Sequence, residues 1–196
     1  FIALILLSPM LVVVSVLIAV YMGRPVLFCQ QRPGLNGNLF TMYKFRTMLP
    51  PSDDQVWFRS DSERLTTIGI FLRKYSVDEL PELINVIKGD MSLVGPRPLL
   101  AEYLNKYTEE ENRRHLVLPG ITGLAQVSGR QAIVFSKRLK LDVEYVENWS
   151  FKLDFIILIK TVKMLLSSQG VVSGQDVDEV DDIGLSSDRK RDGHDD

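Results

Sequence analysis

Hydrophobic positions follow three different rhythms along this chain. Residues Phe1 to Gly23 carry no charged side chain, a run of the length that spans a bilayer, about 20 apolar residues. Ser8-Pro9 interrupts it, and an interior proline costs a helix about 3 kcal/mol or kinks it. The leg from Pro9 to Gly23 has fifteen residues, about 22 Å of helix, short of a hydrocarbon core of about 30 Å. Two arrangements fit: a plain kinked span, or two legs that enter and leave by the same face. In the second, the Ser8 hydroxyl satisfies a carbonyl freed by the proline.

The next rhythm has a period of two. Phe28 to Gln31 and Leu39 to Met48 read as paired strands around the turn residues Gln31 to Asn38, where Asn36-Gly37 is a strong hairpin signal. Alternation in the second strand puts Lys44 and Arg46 on one face, and Tyr43 and Phe45 on the other. Pro50 to Ser62 is polar and turn-rich, a surface loop.

Helical spacing follows. Leu80, Leu83, Ile84 and Ile87 mark a short helix, Leu99 to Leu116 a charged one ending in Arg113, Arg114 and a surface His115, and Lys137 to Trp149 another carrying Asp142 and Glu144. Leu153 to Leu166 is apolar nearly all round, with Lys160 and Lys163 three apart. That pattern suits a helix lying in a membrane interface, its lysines reaching headgroups, and equally a buried amphipathic core helix. The expected fold is α+β and mostly helical, with one small β-hairpin.

Charge and length sharpen this picture. The 196 residues suffice for one domain with a real core. Residues 176–196 hold nine acidic and three basic side chains; against the overall charge of -2, their net of -6 leaves +4 on residues 1–175. A mildly basic body suits a phosphate-bearing ligand or an anionic membrane surface. The acidic tail, rich in Asp, Ser and Gly, is expected to be disordered. This divides the chain into an apolar segment 1–23, a body 24–175 and a tail 176–196. The single Cys29 excludes an intramolecular disulfide and fits a reducing compartment. A cleaved signal peptide is disfavoured, because the apolar run is too long and no small-residue cleavage site follows.

The chemistry concentrates at Asp78-Glu79, two adjacent carboxylates where a helix should begin, with Pro81 tolerable only in its first turn. Unpaired N–H groups and the dipole at a helix start favour negative charge, so both should stay ionised. An ionised Asp is a nucleophile towards phosphorus, and its neighbour can hold a divalent metal. The plainer reading is a helix cap, with Ser76 and Glu79 as a capping box. In Gly95-Pro96-Arg97-Pro98, two prolines stiffen the support of a cation, which then loses little freedom on meeting a phosphate. Pro119 to Arg130 supplies glycines that let backbone N–H groups approach a ligand, closed by the cation Arg130.

Six segments in order, Ser8-Pro9, Arg32-Pro33-Gly34, Lys44 to Met48, Asp78-Glu79-Leu80-Pro81, Gly95-Pro96-Arg97-Pro98 and Pro119 to Leu124, give the chain a specific resemblance. It resembles the bacterial monotopic phosphoglycosyl transferases, also called bacterial sugar transferases, especially their short form, from Ser8 to about Gly170. The resemblance implies transfer of a phospho-sugar from a UDP-sugar to a membrane polyprenol phosphate, at the cytoplasmic face of a bacterial inner membrane. It implies Asp78 as the nucleophile that takes the phospho-sugar and releases UMP, and Glu79, with Asp78, as ligand of a required Mg²⁺. It implies Lys44, Arg97 and Arg130 at the phosphates and nucleotide, with Arg46 sharing the strand face of Lys44, and Asp142 as an acidic position near the site. It also favours re-entry at Ser8-Pro9 over a plain span. One departure is Leu118, where the family often has a basic residue.

The expected partners are thus the UDP-sugar, the polyprenol phosphate and membrane lipid, with a homodimer possible and no nucleic acid. Two rivals stand beside this reading. One is a non-catalytic membrane-anchored scaffold, which the full set of Asp78, Glu79, Lys44 and Arg97 argues against. The other is the catalytic portion of a larger multi-span hexose-1-phosphate transferase, which the opening on Phe1 rather than Met allows.

Overall fold

A computed structural model describes residues 2–50, 64–129, 133–167 and 180–185. The chain opens with helix α1 (Ile2–Met22), which carries Pro9 within it. Proline at position 9 cannot donate to the carbonyl of Ile5, and the Ser8 hydroxyl donates to that carbonyl at 2.7 Å, so the proline leaves no orphan there. The helix runs on across Ser8-Pro9. Its inner stripe, Leu11, Val14, Ile18 and Met22, packs on Phe45, Leu72 and Val77 of the body. The other faces leave Val12, Val16 and Val20 exposed.

Strands β1 (Leu27–Pro33) and β2 (Leu39–Phe45) form the expected antiparallel hairpin, in register from Leu27 opposite Phe45 to Pro33 opposite Leu39. Asn36 and Gly37 both take positive φ, 55° and 76°, and the Asn38 N–H donates to the Leu35 carbonyl at 3.1 Å. A two-residue turn of this hand matches the strand twist. On β2, Phe40 and Met42 face inward against Met91, Val86 and Ile121. Lys44 continues that face past the edge of the core.

Helix α2 (Thr67–Lys74) starts at Thr66, whose hydroxyl accepts from the Gly69 N–H. A 3-10 turn over Val77–Glu79 leads into α3 (Glu82–Lys88). The anchor of α3 is Asn85, fully buried: its amide donates to the Thr41 carbonyl at 2.7 Å and its oxygen accepts from the Tyr43 N–H at 3.2 Å. These are backbone groups of β2, and this side chain satisfies them in place of a third strand.

A second sheet was not expected. Strands β3 (Ser92–Val94) and β4 (Gly120–Thr122) pair in parallel, Ser92 opposite Gly120 and Val94 opposite Thr122. A Cβ on Gly120 would lie 2.1 Å from the Gly95 nitrogen. Gly120, read above as part of a ligand-approaching loop, brings its backbone against that of Gly95.

The charged stretch Leu99 to Leu116 is not one helix. It breaks into 3-10 turns at Ala101–Lys106 and Arg113–Leu116 around the short α4 (Glu109–Asn112). Thr108 forces the restart, capping α4 in a reciprocal box with Glu111. His115, expected at the surface, is buried, its Nδ1 at 2.9 Å from the Asn112 side-chain oxygen.

Helices α5 (Leu124–Gly129), α6 (Phe135–Glu147) and α7 (Phe151–Ser167) complete the body. Ile157 of α7 is sealed against Val94 and Tyr145, while Phe155, Val162 and Leu166 on its other faces are exposed. The tail needs correction at one place. Val180 and Leu185 are buried against Tyr103, Phe135 and Leu139, and Asp182 accepts the Ser136 N–H at 3.0 Å in the first turn of α6. Two apolar side chains and one helix-capping carboxylate suffice to dock 180–185. The rest of the tail, the loop expected over Pro50 to Ser62 from residue 51 onward, and Arg130 lie outside the described residues.

Candidate active site

Asn85 fixes the site by laying α3 across the edge of β2, which sets the turn Val77–Glu79 above Lys44. The Lys44 ammonium reaches Oε1 of Glu79 at 3.0 Å and Oε1 of Glu82 at 3.2 Å. The Arg97 guanidinium also donates to Oε1 of Glu79. Arg97 comes from the segment after β3, so two cations from distant parts of the chain converge on one carboxylate oxygen. Asp78 lies beside them, 9% exposed.

The capping box proposed for Ser76 and Glu79 is absent. Ser76 is left-handed at φ 54° and its side chain makes no cap bond, because the chain turns through the 3-10 segment before α3 begins at Glu82. Asp78 and Glu79 therefore stand one turn ahead of the helix.

The two carboxylates titrate in opposite directions. Burial pushes Glu79 up, but the charges and hydrogen bonds of Arg97 and Lys44 outweigh it and hold the group well below the usual carboxylate range. At Asp78 burial prevails, helped by the Glu79 charge, and the pKa is raised despite Lys44, Arg97 and Arg73. The expected ionisation of both carboxylates thus finds support at Glu79 and opposition at Asp78. Burial likewise raises Glu82, whose Oε1 is enclosed without a hydrogen bond though within ion-pair distance of Lys44.

These donors suit a hard cation. Oε2 of Glu79 takes part in neither ion pair, and Asp78 adds a second carboxylate. Among the described residues no three metal-ligating side chains form a cluster. Mg²⁺ needs none, since it keeps several waters and takes one or two carboxylates together with substrate phosphates.

Two expected site residues lie elsewhere. Arg46 turns its guanidinium to the carbonyls of Met22, Gly23 and Arg24. Lys44 and Arg46 share a strand face by alternation, but β2 ends at Phe45, and Arg46 becomes a cap for the end of α1 instead of a phosphate contact. Asp142 is buried on α6 against Arg114, with Nη2 at 2.7 Å and Nε at 3.1 Å from Oδ2. The same Nη2 donates to the main-chain carbonyl of Arg97 at 2.5 Å. Asp142 thus acts through Arg114 on the backbone that carries Arg97.

Sequence reasoning missed Glu82, Asn85 and Arg114. A carboxylate at helical spacing from Glu79, and one Asn among the apolar positions of α3, were the available signals for the first two. Nothing local marks Arg114, whose partner is 28 residues away.

Comparison with known proteins shows the family. The bacterial sugar transferase family matches residues 1–168. The chain belongs to that family. It is 57% identical over 149 residues to an uncharacterized sugar transferase, EpsL, of Bacillus subtilis, covering 76% of this chain and 74% of that protein. It is 40% identical over 165 residues to the undecaprenyl-phosphate galactose phosphotransferase of Salmonella typhimurium, covering 76% of this chain and 35% of that protein. A glucose counterpart from Komagataeibacter xylinus is also 40% identical, over 177 residues, covering 83% of this chain and 33% of that protein. The chain thus spans only about a third of the length of the latter two.

Proposed function

We propose that this bacterial sugar transferase moves a sugar 1-phosphate from a UDP-sugar to a polyprenol phosphate, undecaprenyl phosphate by analogy with the names of its relatives. The observation that carries the reading is the buried Asp78 beside a Glu79 held by Lys44 and Arg97. Donor and acceptor are both anions, and a carboxylate nucleophile needs charge compensation to approach either. Lys44 and Arg97 supply it on a stiff support, and alignment of the attack is then most of the catalysis.

An oxygen of Asp78 attacks the sugar-bearing phosphorus. The phosphoanhydride bond breaks, and its bridging oxygen leaves with UMP. The acceptor phosphate oxygen then attacks the same phosphorus, the acyl–phosphate bond breaks, and the Asp78 carboxylate is restored with polyprenyl-diphosphate-sugar as product. Mg²⁺, held by Glu79 with Asp78, would neutralise phosphate charge when bound. A covalent route lets a soluble and a lipid substrate visit one site in turn.

The catalytic body lies at the cytoplasmic face of the bacterial inner membrane, with α1 entering the bilayer. Support comes from the contact of Leu11 to Met22 with the body. The other faces of α1, with Val12, Val16 and Val20, are apolar and exposed, as an element set in lipid requires. The exposed Phe155, Val162 and Leu166 of α7, interleaved with Lys160 and Lys163, suit a helix lying in the interface.

The test is UMP release from a panel of UDP-sugars without acceptor. With the matching sugar, one equivalent per active enzyme is expected from the native protein and none from Asp78→Asn. UMP formed only when polyprenol phosphate is present contradicts the covalent route.

A further inference from the structure

Helix α6 begins without a cap of its own. Val134 stands at the cap position, extended at φ -65° and ψ 158°, and makes no side-chain bond, so the first N–H groups of the helix lack a local partner. The Asp182 carboxylate, 46 residues further on, serves instead. One oxygen accepts the Ser136 N–H at 3.0 Å and the other the Ser136 hydroxyl. A carboxylate there also suits the positive end of the helix dipole.

Two apolar anchors flank this carboxylate. Val180 and Leu185 are 7% and 2% exposed and lie against Tyr103, Phe135 and Leu139. The chain between them turns at Gly184, φ 70°, and the Asp181 carboxylate accepts the Leu185 N–H at 2.8 Å. Ile183, between the anchors, stays exposed. The Lys106 ammonium donates to the Leu185 carbonyl at 2.6 Å. The 3-10 turn Ala101–Lys106 and α6 thus wall a cleft that reads a short acidic peptide: two apolar side chains five apart, with a carboxylate between them for the helix start.

The cleft lies directly behind the candidate active site. Leu99 and Leu100 pack on the same cluster, and only Pro98 separates them from Arg97. Phe135, Leu139 and Asp142 stand four and then three residues apart on one face of α6. The first two floor the cleft, and the third holds Arg114, which donates to the Arg97 carbonyl. Tyr107, packed at the edge of the cluster, accepts from Nη1 of Arg114 at 3.4 Å.

We propose that this cleft is a peptide-recognition site for the chain's own segment 180–185, and that its occupancy holds Arg97 in place against Glu79. The segment is a positioning element, acting on Arg97 through α6, Arg114 and the backbone of Leu99 and Leu100. Its effect on turnover rests on the function proposed above; its recognition by the cleft does not.

Amide exchange of the full chain in detergent micelles gives the first test. The Ser136 and Leu185 amides, whose acceptors are Asp182 and Asp181, should both be protected about tenfold or more over free-peptide rates in the native protein; free exchange at either overturns the docking, whether or not any variant folds. In Val180→Asp/Leu185→Asp, exchange at Ser136, Arg97 and Leu99 should rise about tenfold or more, donor kcat/KM for UMP release should fall by a similar factor, and the acceptor KM should not move. Leu185→Ile, which keeps an apolar anchor, should stay near native. A synthetic peptide of residues 178–187 added to the double variant should reverse both changes, and the same peptide with Asp182→Asn should leave Ser136 unprotected. Faster exchange at Ser136 with Arg97, Leu99 and donor kcat/KM unchanged reduces the segment to a local cap and overturns the coupling. Higher turnover in the double variant overturns it too, as does a native dimer that the variant converts to monomer, which makes the tail of a second copy the ligand. Peptide rescue of exchange in a protein that turns over no UDP-sugar refutes the proposed function alone; native turnover with the cleft emptied refutes the positioning alone.

Discussion

Arg114→Met should be among the most damaging single changes in the body. Its side chain is 1% exposed and that of Asp142 is 4% exposed, so removing the cation strands a buried carboxylate. Breaking a buried pair from one side costs about 3–5 kcal/mol. The Arg97 carbonyl loses its 2.5 Å donor as well, an orphaned buried acceptor worth about 1–3 kcal/mol. The double variant Arg114→Met/Asp142→Leu removes both charges, and replacing a whole buried pair by apolar groups is often neutral. It should recover most of the stability and keep only the smaller carbonyl deficit. Urea unfolding in detergent micelles followed by circular dichroism reads this as the shift in midpoint at unchanged slope. Turnover should not recover with stability, because the backbone behind Arg97 has lost its tether; about tenfold or more should be missing from UMP release. If each single variant costs under about 1 kcal/mol, the pair is not the buried charge pair described. If the double variant regains full turnover, Arg114 does not position Arg97.

Glu82→Gln keeps the shape of a side chain that is 1% exposed and removes one of the two charges holding Lys44. Its effect on donor kcat/KM should be strongly non-additive with Lys44→Met in a double-mutant cycle, and additivity would separate the two residues. Arg46→Met should fray the last turn of α1, giving amide exchange there about tenfold faster, equivalent to about 1.4 kcal/mol for the carbonyls left without a donor; unchanged exchange contradicts the capping role. His115 is held down to about 4 from an ordinary 6.5 by burial and the Arg114 charge. Above pH 6.5 it is neutral folded and unfolded and adds no pH dependence. As pH falls from 6.5 to 4 the unfolded chain takes up a proton that the folded one refuses, and stability drops by at most about 3 kcal/mol. His115→Asn should flatten the stability profile in that window, and equal slopes contradict the assignment.

What the sequence disclosed and what it hid follow from the range of the interactions. The hairpin was legible because Asn36-Gly37 dictates its turn locally. The service of Ser8 to the Ile5 carbonyl was legible because proline chemistry involves only the five residues Ile5 to Pro9. Helices α6 and α7 came within two residues of their observed ends, being long and strongly periodic. The break at Thr108 was readable in principle, since Thr108 and Glu111 spell a capping box inside what periodicity read as one helix. The parallel pairing of β3 with β4 was not, since strands of three residues carry no rhythm and their glycines looked like a ligand loop.

Asp78, Glu79, Lys44 and Arg97 were each singled out from local chemistry, and the fold brings them to one place. Arg46 was misplaced because alternation stops with the strand at Phe45. The link from Asp142 through Arg114 to Arg97 depends on folding α6 against a 3-10 turn, which no local pattern encodes. Docking of 180–185 was obscured because the average charge of the tail outweighs Val180 and Leu185.

The most direct measurement is mass spectrometry of enzyme incubated with Mg²⁺ and its UDP-sugar without acceptor, then acid-quenched and digested. The account predicts a sugar-phosphate mass increment on Asp78, lost when polyprenol phosphate is added before the quench. An increment on any other side chain, or none in a preparation that turns over, contradicts it.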